Sequence, residues 1–203
     1  QDARFNAGES ISATAFAKFL DECVDWVVTV DPHLHRISAL GNVFRIPSTA
    51  VAAAPQLANW IRNEVVRPVL IGPDSESAQW VAVVAHEAGV PYEVLYKNRR
   101  GDREVEISLP DIERLRGCTP VFVDDIVSTG RTLIATLEHL YRLQLSPAVC
   151  VVIHAIFAGD AWEALQRAGA GRIVSTDSIA HPSNAISLAE PIAAAVAAHL
   201  AAS

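Results

Sequence analysis

The chain has 203 residues, 51% hydrophobic and 19% charged, with 23 acidic against 16 basic side chains for a net charge of −7. That length holds one sizeable core, or one domain and part of another. The acidic balance argues against a protein that coats nucleic acid, which needs an excess of Lys and Arg, and no apolar run approaches the roughly 20 residues that cross a bilayer.

In chain order, Glu9–Leu20 places Ile11, Phe16, Phe19 and Leu20 at helical spacing and predicts a helix buried on that face, with Ser10 or Ser12 near its start. Trp26–Val30 reads as a strand closing at Asp31-Pro32. Val51–Val66 is helical with Pro55 early in it, and Val69–Ile71 is a second strand ending in Gly72-Pro73-Asp74. Ser75–Ala88 is a helix stopped by Gly89. Tyr92–Tyr96 is a strand, Lys97–Glu104 (KNRRGDRE) a polar connection, and Val105, Ile107 and Leu109 alternate as in a strand with one wet face. Pro120–Val123 is a strand running into an acidic pair, followed by an amphipathic helix over Arg131–Leu143. Ala148–Phe157 and Arg172–Ser175 read as strands around a helix at Ala161–Ala168, and Pro191–Ala202 as a closing helix. Apolar strands alternating with helices predict an α/β fold: a mostly parallel sheet with helices on both faces.

Ligands of such sheets bind beyond the carboxyl ends of the strands, and Asp31, Asp74, Lys97 and Asp124 each follow a predicted strand end. The richest segment is VFVDDIVSTGRT, Val121–Thr132. Its loop of Ser128, Thr129, Gly130, Arg131 and Thr132 opens a helix, where backbone N–H groups, hydroxyls and a glycine make an anion cradle. Asp124 and Asp125 do not belong against phosphate; hydroxyls or a divalent cation are their natural partners. Hydroxyls beside a phosphate describe a sugar phosphate. The bland reading is a strand ending in a capped helix with solvated acids.

This segment resembles the phosphoribosyl-diphosphate loop of the type I phosphoribosyltransferase fold. The resemblance implies that Asp124 and Asp125 hold the ribose 2- and 3-hydroxyls and that Ser128 through Thr132 wrap the 5-phosphate. Arg131 stands where a small residue is frequent, and could point away from the phosphate or add to it. Further segments, Gln1–Ser12, Thr29–Arg36 (TVDPHLHR), Ile71–Ser77 (IGPDSES), Lys97–Ser108 and His181–Ile186 (HPSNAI), occur in the same order in ribose-phosphate diphosphokinases, particularly archaeal-type forms. That resemblance implies transfer of the diphosphoryl group of ATP to the 1-hydroxyl of ribose 5-phosphate, giving phosphoribosyl diphosphate and AMP. It gives Gln1 to ATP, His33 and Asp74 to Mg²⁺, and catalysis to Lys97 with Arg99 beside it on a polar loop around Gly101. It also implies a homo-oligomer; that no nucleic-acid or membrane partner is expected rests on the charge and the apolar runs instead.

Each motif has a plainer reading. His33 and His35 could belong to an ordinary loop or to half a zinc site, Asp74 could cap a helix, KNRRGDRE could be a hairpin connection and His181-Pro-Ser-Asn a turn. His154, inside an apolar run, reads as a satisfied core histidine. Cys23, Cys118 and Cys150 lack metal-site spacing and suit reduced thiols in a cytoplasmic protein. The opening QDARFNAGES lacks the features of a signal peptide, and no methionine is present, so a chain that begins inside a longer product is expected. On the resemblance, residues 1–45 would end a first phosphoribosyltransferase-like domain, 46–203 would form a second, and this chain alone would bind ribose 5-phosphate with weak or no catalysis. The rival functions are a base-specific phosphoribosyltransferase, which needs neither TVDPHLHR nor KNRRGDRE, and a non-catalytic regulatory homologue.

Overall fold

The structure is a computed structural model that describes residues 6–34, 37–72, 77–100, 104–108, 115–145 and 147–202, with backbone alone at 96–100 and 104–108. It divides into two compact units, one of Gln1–Ala53 with Ala189–Ser203 and one of Ala54–Leu188.

The first unit contains α1 (Ser12–Cys23), β1 (Val27–Val30), a 3₁₀ turn at Leu40–Asn42, β2 (Ser48–Val51) and the final helix, α6 (Ala189–Ala202). β1 and β2 pair in parallel from Val27↔Ser48 to Val30↔Val51, and α6 packs on both. Trp26 stacks on His199 at 4.4 Å between ring centroids. These contacts draw residues 46–53 and the closing helix into this unit, whereas the expected division fell after residue 45. The predicted apolar face of α1 holds in part: Ile11 and Leu20 are half-buried, but Phe16 and Phe19 are each 60% exposed, and Ala17 is the residue fully buried.

The second unit is a six-stranded parallel sheet in the order β10-β9-β8-β7-β3-β4. Its strands are β3 (Pro68–Gly72), β4 (Tyr92–Val94), β7 (Thr119–Val127), β8 (Val149–Ala155), β9 (Arg172–Thr176) and β10 (Asn184–Ile186), and its helices are α2 (Ala54–Glu64), α3 (Ala78–Ala88), α4 (Arg131–Arg142) and α5 (Ala161–Arg167). Val69, Ile71, Phe122, Cys150 and Val152 form one core cluster with Leu133, Leu137 and Leu140 of α4 and Leu165 of α5. The alternate residues Leu70, Val121, Val123, Val151 and Ile153 are just as buried. They point to the opposite face, because successive strand side chains alternate, and that is the face left for the buried residues of α2 and α3. The central strands are buried on both sides and read as unbroken apolar runs for that reason.

Gly89 ends α3 in the left-handed region at φ 68°, as expected of a C-terminal glycine. Tyr96–Arg100 and Glu104–Ser108 are antiparallel strands β5 and β6, so half of the expected polar connection is itself a strand. β2, β5 and β10 are additions to the strands read from sequence.

Candidate active site

The order of the sheet locates the site. From β3 the chain moves outward to β4, then returns to place β7 on the other side of β3 and continues outward through β8, β9 and β10. The direction of winding reverses between β3 and β7. A crevice opens at such a point beyond the carboxyl ends of the two strands.

β7 is nine residues long and β3 five. Pairing with β3 runs from Pro68↔Thr119 to Ile71↔Phe122, while pairing with β8 continues through Asp124↔Val152 and Ile126↔His154 to Val127↔Ala155. Asp124 and Asp125 therefore lie inside β7 and not past its end, a correction to the expected boundary. They overhang β3 on one side and stay supported by β8 on the other, which accounts for their half-buried state after the fully buried Val121–Val123. Asp124 Oδ1 accepts the Asp125 backbone N–H at 3.1 Å, so one carboxylate also fixes the local backbone.

Ser128 and Thr129 are exposed, Gly130 half-buried, Arg131 exposed and Thr132 half-buried. Gly130 is the N-cap of α4 with φ 64° and ψ 10°, and no side chain caps the helix. The first-turn N–H groups of a helix lack intrahelical partners, and with positive dipole character they attract an anion. From the opposite side the loop is anchored by the segment after β8: Phe157 N–H donates to Val127 O and Ala158 N–H to Ser128 O, each at 2.9 Å. Leu165 of α5 lies beneath Gly130, 3.7 Å from where a Cβ would stand. Gly72, at the end of β3, has Ser77 Oγ 2.7 Å from its own would-be Cβ, so no side chain fits there without displacing Ser77.

The other expected site residues are spread over both units. Asp74 and Gln1 lie outside the described residues. Lys97 and Arg99 are on β5, in register with Ile107 and Val105 of β6; β5 comes directly after β4, whose Val94 pairs with Gly72 at the carboxyl edge. His33 is exposed in the first unit, after β1. There Asp31 has a left-handed backbone at φ 32°, and its carboxylate accepts the Ala53 N–H at 2.6 Å, tying the ends of β1 and β2 together. His154 shares a hydrogen bond with Ser178 through Nδ1, at 3.0 Å. Among the described residues no three His, Cys, Asp or Glu side chains converge as a metal cage, and no helix is long and apolar enough to cross a membrane. Phe157, Ala158 and Leu165, which place the loop, carry no motif; their role comes from backbone hydrogen bonds and packing that single-residue chemistry does not announce.

Residues 42–187 match the phosphoribosyl transferase domain family. The crevice, the acidic pair and the helix-opening loop all fall within that match, so the class is set by fold and site together. Over 198 residues the chain is 33% identical to the ribose-phosphate pyrophosphokinase of Methanopyrus kandleri, covering 97% of the chain and 67% of the relative. It is 32% identical over 193 residues to ribose-phosphate pyrophosphokinase 2 of Archaeoglobus fulgidus, covering 95% and 69%. The chain belongs to the ribose-phosphate pyrophosphokinase family, pyrophosphokinase being another word for diphosphokinase, and spans about two thirds of the length of the curated relatives it matches. Its fold is that of the phosphoribosylpyrophosphate synthetase from Mycobacterium smegmatis, with a TM-score of 0.79 at 21% identity over 100% of this chain and 68% of the other.

Proposed function

We propose that the protein transfers the β,γ-diphosphoryl group of ATP to the 1-hydroxyl of ribose 5-phosphate. The hydroxyl oxygen forms a bond to the β-phosphorus, the bond from that phosphorus to the oxygen shared with the α-phosphorus breaks, AMP leaves, and the hydroxyl proton passes to solvent. The observation that carries the reading is the carboxylate pair Asp124–Asp125 placed just before the uncapped, glycine-started helix α4 at the switch point of the sheet.

Each residue then has a physical task. Asp124 and Asp125 accept hydrogen bonds from the 2- and 3-hydroxyls. The N–H groups and hydroxyls of Ser128–Thr132 take the 5-phosphate, and the sugar is fixed at both ends. The phosphoryl oxygens gain charge in the transition state, and cationic side chains stabilise it; Lys97 and Arg99 are the proposed donors. Gln1 is assigned to ATP. Mg²⁺ binds through one or two protein ligands and completes its shell with phosphate oxygens and water. His33 and Asp74 are the residues proposed to hold it. Bound there, it would neutralise phosphate charge.

The first unit is proposed as the end of a first phosphoribosyltransferase-like domain. Among the described residues its parallel sheet has two strands, and Phe16 and Phe19 are each 60% exposed, which supports this because parallel sheets are ordinarily covered on both faces. A cytoplasmic homo-oligomer completes the proposal.

Calorimetric titration with ribose 5-phosphate, with and without Mg²⁺ and then with ATP, tests the reading. A charge-assisted hydrogen bond is worth roughly 1.5–3 kcal/mol, so Asp125→Asn should weaken sugar-phosphate binding by about 10- to 150-fold. A folded chain that does not bind ribose 5-phosphate would remove the central claim. Consumption of a purine or pyrimidine base together with phosphoribosyl diphosphate would favour the base-specific rival.

A further inference from the structure

The sugar-phosphate loop is held by a residue in an unfavourable conformation. Phe157 has φ 40°, a left-handed backbone that a bulky side chain seldom adopts. Such a conformation persists where the surroundings over-determine it. Its N–H and that of Ala158 are the two donors that fasten Val127 and Ser128, the start of the loop. What holds Phe157 therefore holds the loop.

Phe157 is 8% exposed, and its ring closes a three-ring cluster. Its centroid lies 5.3 Å from that of Trp162 and 4.8 Å from that of His181, with Trp162 and His181 4.7 Å apart. Trp162 belongs to α5. His181 arrives from the turn between β9 and β10, the HPSN motif that the phosphoryl-transfer chemistry leaves unused.

The imidazole is oriented by a chain of hydrogen bonds. Ser183 N–H, which can only donate, points at His181 Nδ1 at 3.2 Å. Nδ1 is therefore the acceptor, and the ring proton sits on Nε2. Ser183 Oγ lies 2.8 Å from the same nitrogen, Ser175 Oγ 2.7 Å from Ser183 Oγ, and Asn184 Nδ2 donates to Ser175 Oγ at 2.9 Å. One proton arrangement satisfies all of these: Asn184 to Ser175, Ser175 to Ser183, Ser183 to His181. The other hydrogen bonds of the turn do not involve the imidazole. Asn184 Oδ1 accepts the His181 N–H at 2.9 Å, and its amide donates to Thr176 O at 2.6 Å and Ile179 O at 3.0 Å. Removing the ring takes the acceptor from Ser183 and leaves these bonds in place.

We infer that His181 is a positioning residue of the sugar-phosphate site: its ring, set by Ser183, packs against Phe157 and Trp162 and keeps the Phe157–Ala158 backbone donating to the start of the Ser128–Gly130 loop. The choice of ligand rests on the function proposed above; the mechanical link does not. Two readouts separate them: the affinity for ribose 5-phosphate by calorimetry, and native-state hydrogen exchange at the Phe157 and Ala158 amides without ligand. His181→Ala should raise the ribose 5-phosphate Kd by about five- to twentyfold, as expected for lost preorganisation without a lost ligand contact, and speed exchange at both amides. His181→Phe keeps a ring and should restore both. His181→Asn keeps an acceptor for Ser183 but no ring, and should restore neither. Unchanged exchange in His181→Ala, or rescue by Asn and not by Phe, overturns the inference. If the unmodified chain fails to bind ribose 5-phosphate, the functional reading falls, and the exchange data still decide whether His181 holds Phe157.

Discussion

Gly130→Ala distinguishes two reasons for a glycine at the start of the loop. With φ 64° and ψ 10° the residue is left-handed, and an L side chain there costs about 1–2 kcal/mol. The added methyl would meet Val127 Cγ1 at 3.5 Å and Leu165 Cγ and Cδ1 at 3.7 Å, ordinary van der Waals contacts and no clash. Restricting the unfolded chain returns about 0.4–1 kcal/mol. The net loss should be about 1 kcal/mol, which for a chain of this size lowers Tm by roughly 2–4 °C. The methyl faces Val127 and Leu165, not the first-turn N–H groups of α4, so the affinity for ribose 5-phosphate should change by less than about threefold, or ~0.6 kcal/mol. Urea denaturation and calorimetry measure the two quantities on one preparation. A stability loss above about 3 kcal/mol would mean that packing, not backbone conformation, dictates the glycine. Lost binding with stability intact would mean that the Cβ meets the ligand.

Gly72→Ala should behave oppositely, since its Cβ would lie 2.7 Å from Ser77 Oγ and 3.2 Å from Val81 Cγ2; overpacking costs about 1–3 kcal/mol, and adding Ser77→Ala should recover part of it in a double-mutant cycle. Cys150 is fully buried, and desolvation pushes its thiol up from 9.0 to about 12. Between those values the unfolded chain ionises and the folded one does not, so stability is fully present below pH 9 and falls as pH rises toward 12. The loss should reach about 1.4 kcal/mol at pH 10, and Cys150→Ala should remove that share of the slope in urea denaturation at pH 8 and 10.

The residues made some elements legible and concealed others, for identifiable reasons. Val121–Val123 and Val149–Ile153 are apolar on both faces because the sheet is covered on both faces, and α4 shows its core stripe of Leu133, Leu137 and Leu140 directly. The sequence Ser48-Thr-Ala-Val51 has too few residues to show a period, as does Asn184-Ala-Ile186, and each becomes a strand through its neighbour. Tyr96–Arg100 is polar and pairs with Glu104–Ser108 because an antiparallel ribbon needs no buried face to form its hydrogen bonds. In α1 the helix was legible and half of its face was not, Ile11 and Leu20 being half-buried and Phe16 and Phe19 exposed, since size and periodicity alone do not say which side chains find a partner. The acids and the loop of Val121–Thr132 were readable as chemistry. That Asp124 and Asp125 lie inside a strand was not, because it depends on β8 continuing to pair with β7 beyond the end of β3.

That difference in strand length explains how one segment can be both rigid and open. On the β3 side, pairing runs to Phe122, and the edge beyond it opens toward the crevice. On the β8 side, pairing continues to Val127 and is then prolonged by the Phe157 and Ala158 N–H groups. Support therefore comes from β8 and the residues after it, while the β3 side is left open by the end of that strand. Substitutions after β8, at Phe157, Trp162 or His181, should act on how well the loop is held. Those at Gly72, the last residue of β3, or at Ser77 should act on the shape of the crevice. The two strands are separated in the sheet by β7 itself, so the effects of the two groups on ribose 5-phosphate affinity should combine additively unless they couple through Asp124 and Asp125.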